Sequence, residues 1–211
     1  MSMQIVIRST QQQKNELANK GFNENVNIQW VEPGMALRTA NADVYFDLVF
    51  NDTDPANNEF INDKPVFAHA VNCTCGEINR SNYIRLNAWN GFLNRPVTEL
   101  VCCNNAMQET AEKIFHTLGW KPVFVEDEYG FIAARILAMI ISEAYYALEE
   151  NVSTKEQIDI AMKLGTNYSL GPFEWSEKIG LNNILHLLQR LKKRDERYTI
   201  PALLVHESQQ F

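Results

Sequence analysis

Tyr129-Gly130-Phe131-Ile132 opens a run that continues to Glu150 with Ile132, Ile136, Met139, Ile140 and Leu148 at helical spacing and small alanines between them. A second short helix follows, ending Ile158-Asp159-Ile160-Ala161-Met162-Lys163-Leu164-Gly165, and then Gly171-Pro172-Phe173-Glu174. Ser153 with Glu156 three residues on reads as the capping box that starts the second helix. Gly165 stands where a left-handed C-cap is wanted, and Pro172 suits the first turn of a third helix. Beyond them, Ile184, Leu185, Leu188 and Leu191 share one side of a helix over 182–193. Its Lys192-Lys193-Arg194 end complements the helix dipole as a solvated terminus. Pro201 begins one more helix. The C-terminal part is expected to be entirely helical.

The preceding part reads differently. Short strands are expected at 4–8, 27–31, 43–50, 65–71, 83–89, 99–103 and 122–126, with helices at 11–20 and 107–118. Strands alternating with helices argue a mostly parallel α/β layer. The expected division is therefore an α/β domain over 1–126 and a helical domain over 127–211.

Composition narrows the function classes. A net charge of -7 with pI near 5.2 argues against a broad nucleic-acid or anionic-membrane surface. No apolar run is long enough to span a bilayer and no signal peptide is evident, so a cytoplasmic protein is the default expectation. The cysteines, Cys73-Thr74-Cys75 and Cys102-Cys103, lack zinc-ribbon spacing. They read as reduced, small apolar residues, and no metal is expected.

Several of these motifs, in this order, resemble the 3-hydroxyacyl-CoA dehydrogenase family. They are Gly130-Phe131, Arg135, Glu143-Ala144, the stretch from Ile158 to Gly165, and Gly171-Pro172-Phe173-Glu174. The resemblance is strong from about Glu99 onward and weaker before it. It implies a truncated Rossmann-like parallel sheet domain followed by a dehydrogenase C-terminal-type helical domain. It also implies NAD-dependent oxidation of a 3-hydroxyacyl-CoA to the 3-oxoacyl-CoA, and a dimer made through the helical domain.

The residues depart from the family where its chemistry lies. A dinucleotide needs glycines between the first strand and helix, so that the backbone can approach the pyrophosphate. Here Ser9-Thr10-Gln11-Gln12-Gln13-Lys14 contains none, so no bound cofactor is expected although NAD is the family's. The family's His–Glu pair, in which the imidazole takes the hydroxyl proton, maps onto Asn87 and Glu99. Asn87 cannot act as a general base near neutral pH. Asn90 matches a family Asn, and Thr74 keeps the hydroxyl that contacts substrate in the family. Ala134 stands where an amide precedes Arg135.

Catalytic candidates are thus Glu99 and Asn87, and substrate-binding candidates are Thr74 and Asn90. His69, at the end of Phe67-Ala68-His69, is weighed as a replacement base against a hydrogen-bonded core histidine, and the core reading is preferred. Arg135 and Glu143 read as packing-edge positions, and Gly171-Pro172-Phe173-Glu174 as architectural. Trp89, Trp120 and Trp175 read as core. Kinship implies an oxidoreductase, and the residues imply a catalytically impaired one. The alternative is a non-catalytic dimeric scaffold that binds an acyl-CoA or related small anion near Thr74, Asn87, Asn90 and Glu99.

Overall fold

The computed structural model describes residues 2–38 and 42–210. The chain forms two compact units, Met1–Phe131 and Ile132–Phe211.

The first unit is a seven-stranded sheet of β1 (Met3–Arg8), β2 (Val26–Val31), β3 (Val44–Asp47), β4 (Val66–His69), β5 (Tyr83–Leu86), β6 (Val97–Cys102) and β7 (Lys121–Phe124). The order is β2-β1-β3-β4-β5-β6-β7, and every pair is parallel except β5–β6. Successive strand residues point to opposite faces. Ile5, Ile7, Phe46, Phe67 and Ile84 therefore pack on one side with Leu17 of α1 (Gln11–Lys20) and Phe115 of α3 (Gln108–Leu118). Val6, Tyr45, Val66, Ala68 and Tyr83 pack on the other with Leu37, Phe50, Ile61 and Ile78. Both faces are buried, which is why the strands read as near-continuous apolar runs. The second face has little helical cover: among the described residues only the one-turn α2 (Cys75–Ile78) and a 3-10 turn at Pro55–Asn57 lie on the connections from β3 to β5. Loops stand in for crossover helices, and this makes the Rossmann-like layer short.

The strand expected at 83–89 stops at Leu86 because Asn87 Oδ1 accepts the Trp89 N–H at 2.9 Å, an Asx turn that bends the chain out of the ladder. Reduced cysteines were the expectation, and this is corrected: Cys75 and Cys103 form a disulfide with a Cα–Cα distance of 4.9 Å, while Cys73 and Cys102 stay free. The bond joins one cysteine from each cluster across β5. Attention to each cluster by itself therefore misses it.

The first unit extends past Asp127 because a buried arginine holds the exit segment. Arg85 on β5 is fully buried and ion-paired with Asp127. It also donates to the carbonyls of Ala70 (2.9 Å) and Glu128 (3.1 Å), and its guanidinium lies 4.8 Å from the Phe131 ring. Gly130 donates its N–H to the Val71 carbonyl, and both Gly130 and Phe131 take positive φ (79° and 52°).

The second unit comprises α4 (Ala133–Glu149), α5 (Lys155–Thr166), α6 (Pro172–Ile179), α7 (Leu181–Arg194) and α8 (Ala202–Ser208). α4 buries Ala134, Ala138, Ile141 and Tyr145 and leaves Ile132 and Ile136 more than half exposed. Two cap expectations are corrected. α5 is capped by Thr154, whose Oγ1 accepts the Gln157 N–H, one residue on from the expected Ser153–Glu156 box. It also runs through Gly165 and ends at Asn167, a residue type that tolerates the left-handed φ of 58° found there. No helix among the described residues is long and apolar enough to cross a membrane.

Candidate active site

The carboxyl ends of parallel strands are where ligands bind in open α/β sheets. β4 and the loop after it carry His69, Asn72 and Thr74, and β5 leads into Asn87, Trp89 and Asn90. The antiparallel β6 brings Glu99 back to the same edge. Ladder pairing between the two strands ends at Leu86↔Leu100, just before Asn87 on one strand and just after Glu99 on the other. The two sequence-derived positions flank the last rung of the β5–β6 ladder, and neither is a histidine. The imidazole is what is absent.

The amides here are pinned. Trp89 N–H holds Asn87 Oδ1, so Asn87 presents only its Nδ2, buried and without a partner. Asn72 donates its Nδ2 to Asp52 at 3.2 Å, which leaves its buried Oδ1 unanswered, and Trp89 Nε1 is a third unpartnered atom. Such atoms cost about 1–3 kcal/mol each when nothing meets them, and they favour a bound polar group or water at this edge. They can donate or accept hydrogen bonds but cannot take up a proton.

The other candidates are engaged elsewhere. Thr74 donates its hydroxyl to Glu77 at 3.2 Å, and Glu77 also accepts the Thr74 N–H. Asn90 is half-buried in the turn after Asn87. Glu99 faces a cation: burial pulls the Arg95 guanidinium below its ordinary value, and the carboxylates of Glu99 and Glu16 oppose that shift. His69 Nδ1 accepts the Ala88 N–H at 3.0 Å, and its Nε2 lies 3.6 Å from Asp52. Burial lowers its pKa, against the pull of Asp52 and Asp47, so the ring stays neutral with both nitrogens turned to protein. It is a core histidine. Asp52 organises the edge by accepting the Val71 and Asn72 N–H groups, each at 2.8 Å.

In the helical unit the Gly171-Pro172-Phe173-Glu174 motif proves to be a lock. Asp159 on α5 accepts the Phe173 and Glu174 N–H groups (2.8 and 3.1 Å), two of the donors that a helix start leaves open. Glu174 reaches back to the Gly171 N–H at 2.9 Å and pairs with Lys163. A Cβ at Gly171 would stand 2.3 Å from Asp159 Cγ, so only glycine fits.

Those residues fall inside a match to a known domain. The family model for the 3-hydroxyacyl-CoA dehydrogenase C-terminal domain covers residues 130–208. A 3-hydroxybutyryl-CoA dehydrogenase of Bradyrhizobium diazoefficiens is 37% identical over 118 residues, 52% of this chain and 40% of the relative. A 3-hydroxyadipyl-CoA dehydrogenase of Escherichia coli is 42% identical over 82 residues, 38% of this chain and 17% of the relative. Residues 130–208 belong to the 3-hydroxyacyl-CoA dehydrogenase C-terminal domain family. The chain spans less than half the length of these relatives. The fold likeness runs further: the crystal structure of (S)-3-hydroxybutyryl-CoA dehydrogenase PaaH1 from Ralstonia eutropha superposes with a TM-score of 0.73 at 17% identity, over 98% of this chain and 93% of that one.

A 3-hydroxyacyl-CoA dehydrogenase fold implies NAD at the point where strand order reverses, here between β1 and β3. That crevice is filled by side chains. Arg8 and Asp47, at the ends of the two strands, form a buried bidentate pair (Nε–Oδ1 3.0 Å, Nη2–Oδ2 2.6 Å). Arg8 also donates to Glu59 at 3.3 Å and to the Met35 carbonyl at 3.2 Å. Burial alone would lower the pKa of Arg8, but Asp47 and Glu59 outweigh it and the guanidinium stays charged. At the start of α1, where a pyrophosphate would find free N–H groups, two of the donors are answered internally. Gln13 N–H donates to Thr10 Oγ1 and Thr10 N–H donates to Gln13 Oε1. The Gln13 amide then spans to the carbonyls of Leu48 (2.8 Å) and Ala88 (3.0 Å). The residues present do not fit a dinucleotide held in this way.

Sequence reasoning missed Arg8–Asp47, Gln13, Asp52 and Arg85. Charges at or inside apolar strands were the available signal, since Arg and Asp are almost never fully buried unless paired.

Proposed function

We propose that this chain is a member of the 3-hydroxyacyl-CoA dehydrogenase family that no longer carries out NAD-dependent oxidation of a 3-hydroxyacyl-CoA. Asn87 carries this reading: it holds the position that the resemblance gives to the family's base, with its carbonyl oxygen committed to Trp89 and only a donor left over. The filled crevice at Arg8 and Gln13 supports it from the cofactor side. The reading is tested by incubating the purified chain with 3-hydroxybutyryl-CoA and NAD and following absorbance of the reduced nicotinamide. No turnover is expected, and NADH fluorescence should show no saturable binding. Turnover that disappears with Glu99→Gln would overturn the proposal.

The orphaned atoms at Asn72, Asn87 and Trp89 favour a remaining role in binding. The ligand class is an acyl-CoA or related small anion held near Thr74, Asn87, Asn90 and Glu99, without chemistry. The protein is cytoplasmic in this reading and works as a homodimer through the helical unit. Supporting the dimer, Ile132 and Ile136 are exposed on α4 beside Met139 and Ile140, and Arg135 and Glu143 lie on the same face. Under an antiparallel two-fold crossing near Met139, Arg135 of one copy meets Glu143 of the other. Light scattering after size exclusion should give a dimer at micromolar concentration; a monomer alone would remove that part of the reading.

A further inference from the structure

The loop that carries Asn72 and Thr74 is also the loop that carries one end of the disulfide. Cys75 is the first residue of α2, and Cys103 directly follows β6. Both are half-buried, so a small thiol or disulfide can reach them. α2 is a single turn that buries only Ile78, and a helix that short has almost no stability of its own. What holds it is local: the Thr74–Glu77 cap, Asp127 accepting the Cys75 N–H at 3.0 Å, and the covalent tie to Cys103.

The two remaining cysteines are each kept out of the pairing. Cys73 is buried. The Cys102 thiol is pushed up to about 11 by burial and by the Glu112 carboxylate, so little thiolate is available at neutral pH, and the thiolate is the attacking species. Cys102 is next in sequence to Cys103 and yet poorly suited to exchange. That arrangement directs bond formation to one pair and suppresses scrambling.

We propose that Cys75–Cys103 is a thiol–disulfide switch that sets the order of residues 72–78, and with it the presentation of Asn72 and Thr74 at the sheet edge. The bond forms by exchange with a low-molecular-weight disulfide of the glutathione type. One cysteine thiolate attacks the small disulfide, giving a mixed disulfide and one released thiol. The second cysteine then attacks the protein-bound sulfur and expels the other thiol. Two protein thiols become one disulfide, one small disulfide becomes two thiols, and the two cysteine protons leave on those thiols. Excess small thiol runs the sequence backwards. The proposal rests on the functional reading only for what this edge binds; neither of its readouts involves turnover or a nucleotide.

The full chain is equilibrated in glutathione buffers from reduced to oxidised, trapped by alkylation and mapped by peptide mass. Amide hydrogen exchange is measured at both ends of the series. Oxidised protein should retain two free thiols, at Cys73 and Cys102, and reduced protein four. Reduction should speed exchange at Glu77, Ile78 and Asn79, whose N–H groups bond to the Thr74 and Cys75 carbonyls, by at least about tenfold. Cys102→Ser should switch like the wild type, and Cys103→Ser should exchange as the reduced form does in every buffer. Should Cys103→Ser fail to fold, the wild-type series decides alone. Four thiols in every buffer, a bond to Cys73 or Cys102, or equal exchange in the two forms would each overturn the proposal.

Discussion

The two units have kept different things. In the helical unit three motif residues lock onto one another's segments: Asp159 caps α6, Gly171 makes room for Asp159, and Glu174 ties to Lys163 and Gly171. At the carboxyl edge of the sheet the polar side chains are tied to neighbouring protein groups instead. Asn87 Oδ1 accepts the Trp89 N–H, Arg8 is paired with Asp47, and Gln13 bridges the Leu48 and Ala88 carbonyls. The difference teaches that architecture and reactivity are held by separate constraints. A helix lock fails when any member changes, whereas a strand end keeps its place in the ladder whatever its side chain can do.

The largest expected effect attacks the sheet side of this contrast. Arg8→Met leaves Asp47 buried with no counter-charge and should cost about 3–5 kcal/mol in denaturant unfolding. A loss below about 1 kcal/mol would show that the pair is not what fills the switch point. Next comes Gly171→Ala, which drives a methyl group against Asp159 and disturbs two capped N–H groups. About 2–4 kcal/mol of destabilisation is expected by thermal unfolding. A neutral result would mean that the lock tolerates what its geometry forbids.

A smaller effect follows from His69. Its folded pKa lies below the unfolded value of 6.5, so the unfolded state binds more protons between the two. Stability from this group is complete above pH 6.5 and is lost as pH falls below it. His69→Gln should flatten the fall in melting temperature over that range, and an unchanged slope would count against the neutral, doubly engaged ring. The smallest effect is expected from Asn87→His. An imidazole at position 87 should yield no detectable oxidation of 3-hydroxybutyryl-CoA, because the Arg8–Asp47 pair and the Gln13 bridge remain in the crevice. Measurable revival would show that NAD can still enter.

What could be read from sequence followed the range of the interactions. The helices of the second unit and the alternating strands of the first are written in periods of a few residues. Asn87 and Glu99 were singled out by the resemblance, through the spacing of a motif and not through any local periodicity. Caps slipped by one or two residues, from Ser153 to Thr154 and from Gly165 to Asn167, because neighbouring residues compete for the same geometry. The Cys75–Cys103 bond, the Gln13 bridge to Leu48 and Ala88, and the hold of Asp52 on Val71 and Asn72 all join segments far apart in the chain. No local pattern encodes them.

Arg85 also dictates where this protein can be cut. A fragment stopping at Glu126 would seal a guanidinium inside the sheet with its Asp127 counter-ion, the Glu128 carbonyl and the Phe131 ring all removed. Anyone dissecting the α/β half for expression has to carry the tail through Phe131. The shorter piece, though it holds every strand, should come out insoluble.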